Sequence, residues 1–392
     1  MAKKKVIISA HIGDIHFGAI EPKRLYKELK IQFLRVLRKM PRIDLITING
    51  DLFHKELSYN SAHIKYLNKF LNELYEICRI NNTKIRLIKG TKSHDHDQLN
   101  NIVIPKDLDI LVINSVCEEE LFKGYRVLYL PEEYIKDPKE YYKEYFSEDK
   151  NEYYSAIFGH GMFEETCFDN YNSETRMEAA PVFNSKDMER ICKGYTIFGH
   201  IHNAVCFKNV YYTGSFSRWC QGEEKPKGFI ITLYDLNNEE YKIIPCENKS
   251  ARKFIARNMT KVIKNNPIEK VIDSIEGYYS RNNIYKLNLI LKEKNDKEYM
   301  TKVAILQRYF SEDKLIDIIL KKIDIKDDIL KEELEQYDYI LDDSLTIEDK
   351  VSIFIKDKFD YKISPDRIEE LISCDISRLM NDDIELTRGD EE

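Results

Sequence analysis

The sequence predicts an α/β sandwich followed by a smaller α+β domain and a helical C-terminal region. Three observations carry this reading. Apolar, β-branched runs each stop at a turn bearing Asp or His; helical apolar spacing separates those runs; and charge and histidine content change after about residue 250. Strand, turn and helix alternating in this way argue for sheets covered by helices, with polar residues gathered at one edge of the strands. A chain of 392 residues is long enough for two or three cores, and the expected boundaries are 1–250, 251–325 and 326–392.

A first strand is expected over 5–9, entering the turn His11-Ile12-Gly13-Asp14-Ile15-His16-Phe17-Gly18. Asp14 and His16 are two apart, so in extended chain both side chains face one way and can reach one metal ion. Leu25, Leu29, Phe33, Leu34 and Leu37 predict a crossover helix over 22–40, and residues 45–48 a buried strand that Gly50 turns to leave Asp51 at its C-terminal end. A helix over 61–80 leads to a strand over 84–89, which ends in Gly90-Thr91-Lys92-Ser93-His94-Asp95-His96-Asp97. Strands follow at 110–113, 126–130 and 155–158, the last closing at Gly159-His160-Gly161, while 132–154 reads as a polar helix or surface loop. Residues 162–185 read as a long loop, and 195–198 as a last buried strand closing with Gly199-His200-Ile201-His202. Antiparallel strands are expected at 204–213 and 228–234. Beyond 250 come a basic helical stretch (252–277), strands at 285–292 and 299–305, helices at 311–322 and 326–336, and acidic helical patterning at 346–358 and 365–380.

The net charge of −7 excludes a chain that is globally a polyanion binder but leaves room for a local basic patch. Residues 251–302 carry a net +6 and residues 303–392 a net −13. All nine histidines lie in the first 202 residues, a segregation that solvated surface histidines would not show, so chemistry belongs there. Eight scattered cysteines (Cys78, Cys117, Cys167, Cys192, Cys206, Cys220, Cys246, Cys374) form no CxxC pair and read as reduced thiols of a cytoplasmic protein. No apolar stretch approaches a membrane span, and the apolar run after the basic start is too short for a signal peptide.

Taken singly, a histidine or a Gly-Asp dipeptide has an ordinary structural explanation. Five strand ends in one order do not: Asp-x-His, Gly-Asp, Ser-His-Asp after Gly, Gly-His, then Gly-His-x-His. Carboxylate and imidazole together suit Mn²⁺, Fe²⁺ or Zn²⁺ better than Ca²⁺. With Asp51 as a bridge, two ions would sit about 3.5–4 Å apart, clamp one phosphate and activate water for in-line attack on phosphorus. His11 and His63 read as structural, and Trp219 either stacks on a base or serves a core or interface.

The order Gly-Asp-Ile-His, Gly-Asp-Leu-Phe-His, His-Asp, Gly-His-Gly and Gly-His-Ile-His resembles the calcineurin-like metallophosphoesterases. The Phe-His after Gly-Asp resembles their SbcD-type DNA double-strand-break repair nucleases, bacteriophage versions included. The resemblance covers roughly residues 5–235 and implies a four-layer α/β/β/α sandwich. It implies one metal held by Asp14, His16, Asp51 and His202, and another by Asp51, His160, His200 and an asparagine; the two divalent ions would be Mn²⁺, with Mg²⁺, Fe²⁺ or Zn²⁺ as alternatives. His94 matches the catalytic histidine that orients or protonates the phosphodiester, and His54 a second one that shapes substrate contact. The asparagine is missing, because Thr91-Lys92-Ser93 separates Gly90 from His94. Ser93 is favoured in its place, with His96 or Asp97 as alternatives.

The resemblance further implies an exonuclease and endonuclease acting on DNA in recombination and repair or phage DNA processing. Residues 251–325 would form a capping domain on DNA phosphates. The acidic helices of 326–392 would dock an SbcC-type coiled-coil ATPase, the nuclease being a homodimer within a heterotetramer. Two other readings stay open: a two-metal enzyme acting on a phosphoprotein or small phosphate ester, and a DNA-end scaffold without catalysis. Protein phosphatases of this type place an arginine soon after Gly-Asp, where this chain has Phe53-His54-Lys55, which favours a diester.

Overall fold

The computed structural model describes residues 6–146, 153–166, 180–220, 223, 225–278, 283–291, 296–311, 313 and 315–322. The chain divides into two units, Met1–Ile255 with Asn282–Ile284, and Ala256–Arg281 with Tyr285–Glu392.

The first unit is built on two six-stranded sheets. One runs in the order β14 (Tyr241–Glu247), β13 (Gly228–Asp235), β1 (Val6–Ile12), β2 (Leu45–Asn49), β3 (Lys84–Ile88) and β4 (Ile110–Ile113). Strands β1 to β4 are mutually parallel, and β13 is antiparallel to both its neighbours. The other sheet is β11 (Cys206–Phe207), β12 (Val210–Tyr212), β10 (Cys192–Gly199), β7 (Tyr154–His160), β6 (Tyr125–Leu130) and β5 (Cys117–Phe122). Within it β6, β7, β10 and β12 are parallel. The residues expected as one antiparallel pair, 204–213 and 228–234, thus belong to different sheets. The two-residue strands β8 (Met162–Phe163) and β9 (Val182–Phe183) pair with each other beside the second sheet.

Side-chain alternation explains the stacking. In β2, Ile46 and Ile48 face a core shared with Leu25, Leu29, Phe33, Leu67, Phe70 and Leu74 of the covering helices, while Leu45 faces the other sheet. In β7 and β10, Ala156, Phe158, Tyr195 and Ile197 meet that inter-sheet core, and Ile157 and Phe198 pack outward with Met188 and Ile191 of the helix Ser185–Ile191. The layers are helix, sheet, sheet and helix, as expected. The crossover helix expected over 22–40 is present as Pro22–Glu28, a π-helical stretch Leu29–Leu34 and Arg35–Lys39. The helix expected over 61–80 spans Ala62–Asn81, capped by the Ser61 side chain and closed by Asn82 in the left-handed region.

The buried polar groups His11 and Asn49 at the seam are satisfied, His11 within its own sheet and Asn49 across to the other. His11, fully buried, bonds Thr47 Oγ1 at 2.7 Å and Thr232 Oγ1 at 3.0 Å, and Asn49 Nδ2 donates to the Ile197 carbonyl at 3.0 Å.

From residue 254 onward, a sheet in the order β15 (Phe254–Asn258), β16 (Ile284–Leu291) and β17 (Ile316–Lys322) accompanies the helices Thr260–Asn265, Ile268–Tyr278 and Lys297–Tyr309. Three expectations are corrected. Residues 254–258, expected within the basic helical stretch 252–277, form β15. Residues 299–305 are helical rather than a strand, because Tyr299, Val303, Leu306 and Phe310 recur at helical spacing and are buried together. Residues 316–322, expected as helix, form β17, whose β-branched run pairs in parallel with β16. The acidic helical region expected over 326–392 lies outside the described residues. Among the described residues no helix is long and apolar enough to cross a membrane. Cys78, Cys117, Cys192, Cys206, Cys220 and Cys246 are free thiols.

Candidate metal centre

Six parallel strands drawn from both sheets end at one place. From the first sheet, β1 delivers Asp14 and His16, β2 delivers Asp51 and His54, and β3 delivers Thr91 and His94; from the second, β6 delivers Glu132, β7 ends on His160, and β10 delivers His200 and His202. Tight turns make this convergence possible. Asp14, His16, Asp51 and His200 have φ of 48°, 54°, 51° and 96°, a left-handed region that non-glycine residues seldom occupy and that concentrates at functional sites. Gly50, with φ of 76°, has no substitute here, since a Cβ on it would lie 2.1 Å from His160 Nδ1. Gly90 is equally confined, with a Cβ placed 2.3 Å from the Asp51 nitrogen.

The donors form two groups around Asp51. In the first, His16 Nε2 and His202 Nε2 are 3.0 Å apart, and they lie 4.0 and 3.8 Å from Asp14 Oδ1. In the second, His200 Nδ1 is 3.1 Å and His160 Nε2 3.6 Å from Glu132 Oε2. Asp51 stands between them, Oδ2 at 3.9 Å from His16 Nε2 and Oδ1 at 3.5 Å from His160 Nε2. All of Asp14, His16, Asp51, Glu132 and His160 are buried.

Two imidazole nitrogens at 3.0 Å, with buried carboxylates around them, form a donor set that suits a divalent cation, and the Glu132–His160–His200 group is of the same kind. Supporting hydrogen bonds aim the donors. His160 Nδ1 donates to the Asn49 carbonyl at 2.8 Å, and the Glu223 carboxylate accepts from His202 Nδ1 at 2.8 Å; each leaves Nε2 facing the centre. Burial on its own would lower the His160 pKa, but the Asp51, Asp14 and Glu132 carboxylates overcome it and hold it well above the usual value. Burial holds His16 down at about 3.

Asp95 has a different task. Fully buried, it accepts the backbone N–H groups of Asp51 at 3.0 Å, Phe53 at 3.0 Å and Gly90 at 2.8 Å, tying the turns after β2 and β3 together. Burial, reinforced by the Asp51 charge, pushes its pKa up to about 7.

A match to the calcineurin-like phosphoesterase family model runs over residues 9–204, half of the chain, and takes in every strand end that builds this centre. The chain belongs to the calcineurin-like phosphoesterases. No curated protein matches it. The activity of this family is metal-dependent hydrolysis of phosphoesters, and the phosphoesterase presents buried His/Asp groups fit for that metal.

Of the residues expected at the site, the phosphoesterase fold brings together Asp14, His16, Asp51, His54, His94, His160, His200 and His202. It does not bring in Ser93, which is exposed, as are His96 and Asp97. These three lie in or just after the short helix Lys92–Asp95, which turns them outward. Thr91 sits where Ser93 was expected, its Oγ1 at 3.4 Å from Asp51 Oδ2 and His160 Nε2, 3.2 Å from Glu132 Oε2 and 3.5 Å from His200 Nδ1. Glu132 and Glu223 are residues the sequence reading missed. The signal for Glu132 was present, since Tyr125–Leu130 is one more apolar run ending at a carboxylate.

His54 and His94 flank the centre with rings stacked at 5.3 Å, and His94 Nδ1 donates to the His54 carbonyl at 2.5 Å. His94 Nε2 is left 4.0 Å from Asp51 Oδ2. Burial, with His94 and Lys55 as positive neighbours, lowers the His54 pKa. Trp219 closes this side, its ring 4.6 Å from that of His54 and 5.4 Å from that of His16.

Proposed function

We propose that this phosphoesterase is an SbcD-type nuclease that hydrolyses DNA phosphodiester bonds with two divalent ions, Mn²⁺ first among them. The observation that carries the reading is the His54–His94 pair beside Asp51, with Phe53-His54-Lys55 in the place where a grip on a phosphomonoester would need an arginine. Asp14, His16 and His202 would hold one ion, His160 and His200 the other, with Asp51 between them. Bound divalent ions supply the positive charge that neutralises a phosphate and acidifies water. The protein's own part is positional. His94, fixed through Nδ1, turns Nε2 toward the space beside Asp51, where it would meet an oxygen of a bound phosphodiester. Trp219 offers an aromatic face on which a base of a splayed strand would stack.

The biological setting follows as part of the same proposal. The enzyme would work in the cytoplasm, in recombination and repair or phage DNA processing, as a homodimer joined to an SbcC-type ATPase through residues 326–392.

End-labelled duplex and single-stranded DNA, incubated with the full chain and Mn²⁺ or Mg²⁺, test the activity. Asp51→Asn should abolish cleavage, because it weakens both ion sites together. His94→Ala should slow it by roughly 10²–10⁴-fold, the usual contribution of a positioned acid or base. Equal cleavage by the wild type and both variants would sink the mechanism. Hydrolysis of p-nitrophenyl phosphate with none of DNA would move the substrate to a small ester or phosphoprotein, and DNA binding without hydrolysis would leave a scaffold.

A further inference from the structure

Glu132 stands inside the centre although it follows a strand whose exit reads as a surface stretch. It lies two residues beyond the end of β6 and is 3% exposed. Its backbone N–H donates to the Lys89 carbonyl at 3.2 Å, which ties it to the turn carrying Gly90 and Thr91. Its two carboxylate oxygens have separate partners. Oε1 accepts the Tyr134 hydroxyl at 2.8 Å, while Oε2 accepts the Thr91 hydroxyl at 3.2 Å and faces His200 Nδ1 at 3.1 Å and His160 Nε2 at 3.6 Å.

We propose that Glu132 is a ligand of the second divalent ion, seated by Thr91 and Tyr134, and that Ser93 has no part in that site. The inference rests on the two-ion reading given above. His160 Nδ1 is committed to the Asn49 carbonyl, so Nε2 is the nitrogen that faces the ion site. With His200 Nδ1, Asp51 Oδ1 and Glu132 Oε2 it makes two nitrogens and two oxygens, a complete protein donor set for a borderline divalent ion. One oxygen of Glu132 is already engaged by the Tyr134 phenol, which leaves the other, facing His160 and His200, for the ion.

The charge balance has a consequence for substrate. Asp14, Asp51 and Glu132 against two divalent ions leave a single formal positive charge. That matches a phosphodiester, which carries one negative charge, better than a phosphomonoester dianion.

Full-length protein stripped with a chelator and titrated with Mn²⁺ alone tests the assignment, with ions per chain counted by equilibrium dialysis and elemental analysis. Electron paramagnetic resonance reports whether two ions are spin-coupled. The wild type should bind two ions and show a coupled spectrum. Glu132→Gln should keep the first ion at unchanged affinity and weaken the second by at least the roughly tenfold that loss of a supporting partner costs, and the coupled spectrum should vanish at Mn²⁺ levels that saturate the wild type. Glu132→Asp should move the same way by less, and Ser93→Ala should match the wild type. If Glu132→Gln lacks the wild-type circular dichroism, the Glu132→Asp and Ser93→Ala pair decides. Two ions held at wild-type affinity by the Glu132 variants, or loss of the second ion in Ser93→Ala, would overturn the assignment while leaving the two-ion reading intact. Fewer than two ions in the wild type would overturn both.

Discussion

His11 shows how a histidine next to a catalytic turn is kept out of the chemistry. It is three residues from Asp14, yet its ring lies in the inter-sheet seam, where burial lowers its pKa to about 3 from the usual 6.5. The folded-state value is depressed, so above about pH 6.5 neither state takes up a proton; below that the unfolded chain does and the folded chain does not. Stability is therefore complete above the unfolded value and is lost as the pH falls toward the folded one. Between pH 7 and pH 4 this one residue should remove about 3 kcal/mol. His11→Gln, which keeps hydrogen-bonding capacity toward Thr47 and Thr232, should flatten the denaturant-measured stability profile by about that amount. Parallel profiles for the two proteins would refute the assignment. The sequence reading set His11 apart as structural while placing it in the turn; the structure carries β1 through to Ile12 and so puts His11 within the strand. The sequence could not separate Ser93 from Thr91, since a two-residue insertion after Gly90 changes which hydroxyl faces inward, and only the short helix Lys92–Asp95 resolves that.

At the scale of elements, the exits of the parallel strands were legible wherever Asp or His followed an apolar run and a glycine. β6 escaped because Pro131 and a tyrosine-rich stretch follow it, a composition that reads as surface. The second unit was less legible for a related reason. Residues 299–310 and 316–322 are short and rich in Ile, Leu and Tyr, so the period has to be counted over the whole segment before helix and strand separate. The turn after β2 carries a sharper expectation. Gly50→Ala adds a Cβ at 2.1 Å from the His160 ring on a backbone with φ of 76°. The strain alone costs on the order of 1–3 kcal/mol. The variant should melt at lower temperature than the wild type and should bind Mn²⁺ more weakly through the displaced imidazole. A variant with unchanged melting and unchanged metal content would show that the turn tolerates what its geometry forbids.

At the scale of the whole molecule, the first unit is the one whose stability should answer to metal. Ligands that bind only the folded state add about 2.7 kcal/mol at a hundredfold excess over Kd. For a unit of this size that corresponds to a melting shift of roughly 5–10 °C. Calorimetry of the full chain before and after chelation should show that drop in the transition of the first unit, recovered by Mn²⁺. Equal melting with and without chelator would mean that the carboxylates and imidazoles hold their places unaided. At this scale the sequence offers a switch in charge and histidine content near residue 250.

The donors come from both sheets, and this turns the seam into a gauge. Asp14, His16 and Asp51 ride on one sheet, while Glu132, His160, His200 and His202 ride on the other. The Asn49 side chain and carbonyl, bonded to Ile197 and to His160, set the spacing between the two sets. The spacing of the two donor sets thus follows how the sheets stand against each other. A change in core volume at Tyr195 or Phe158, well inside the sandwich, would register at the ions before it registered in secondary structure.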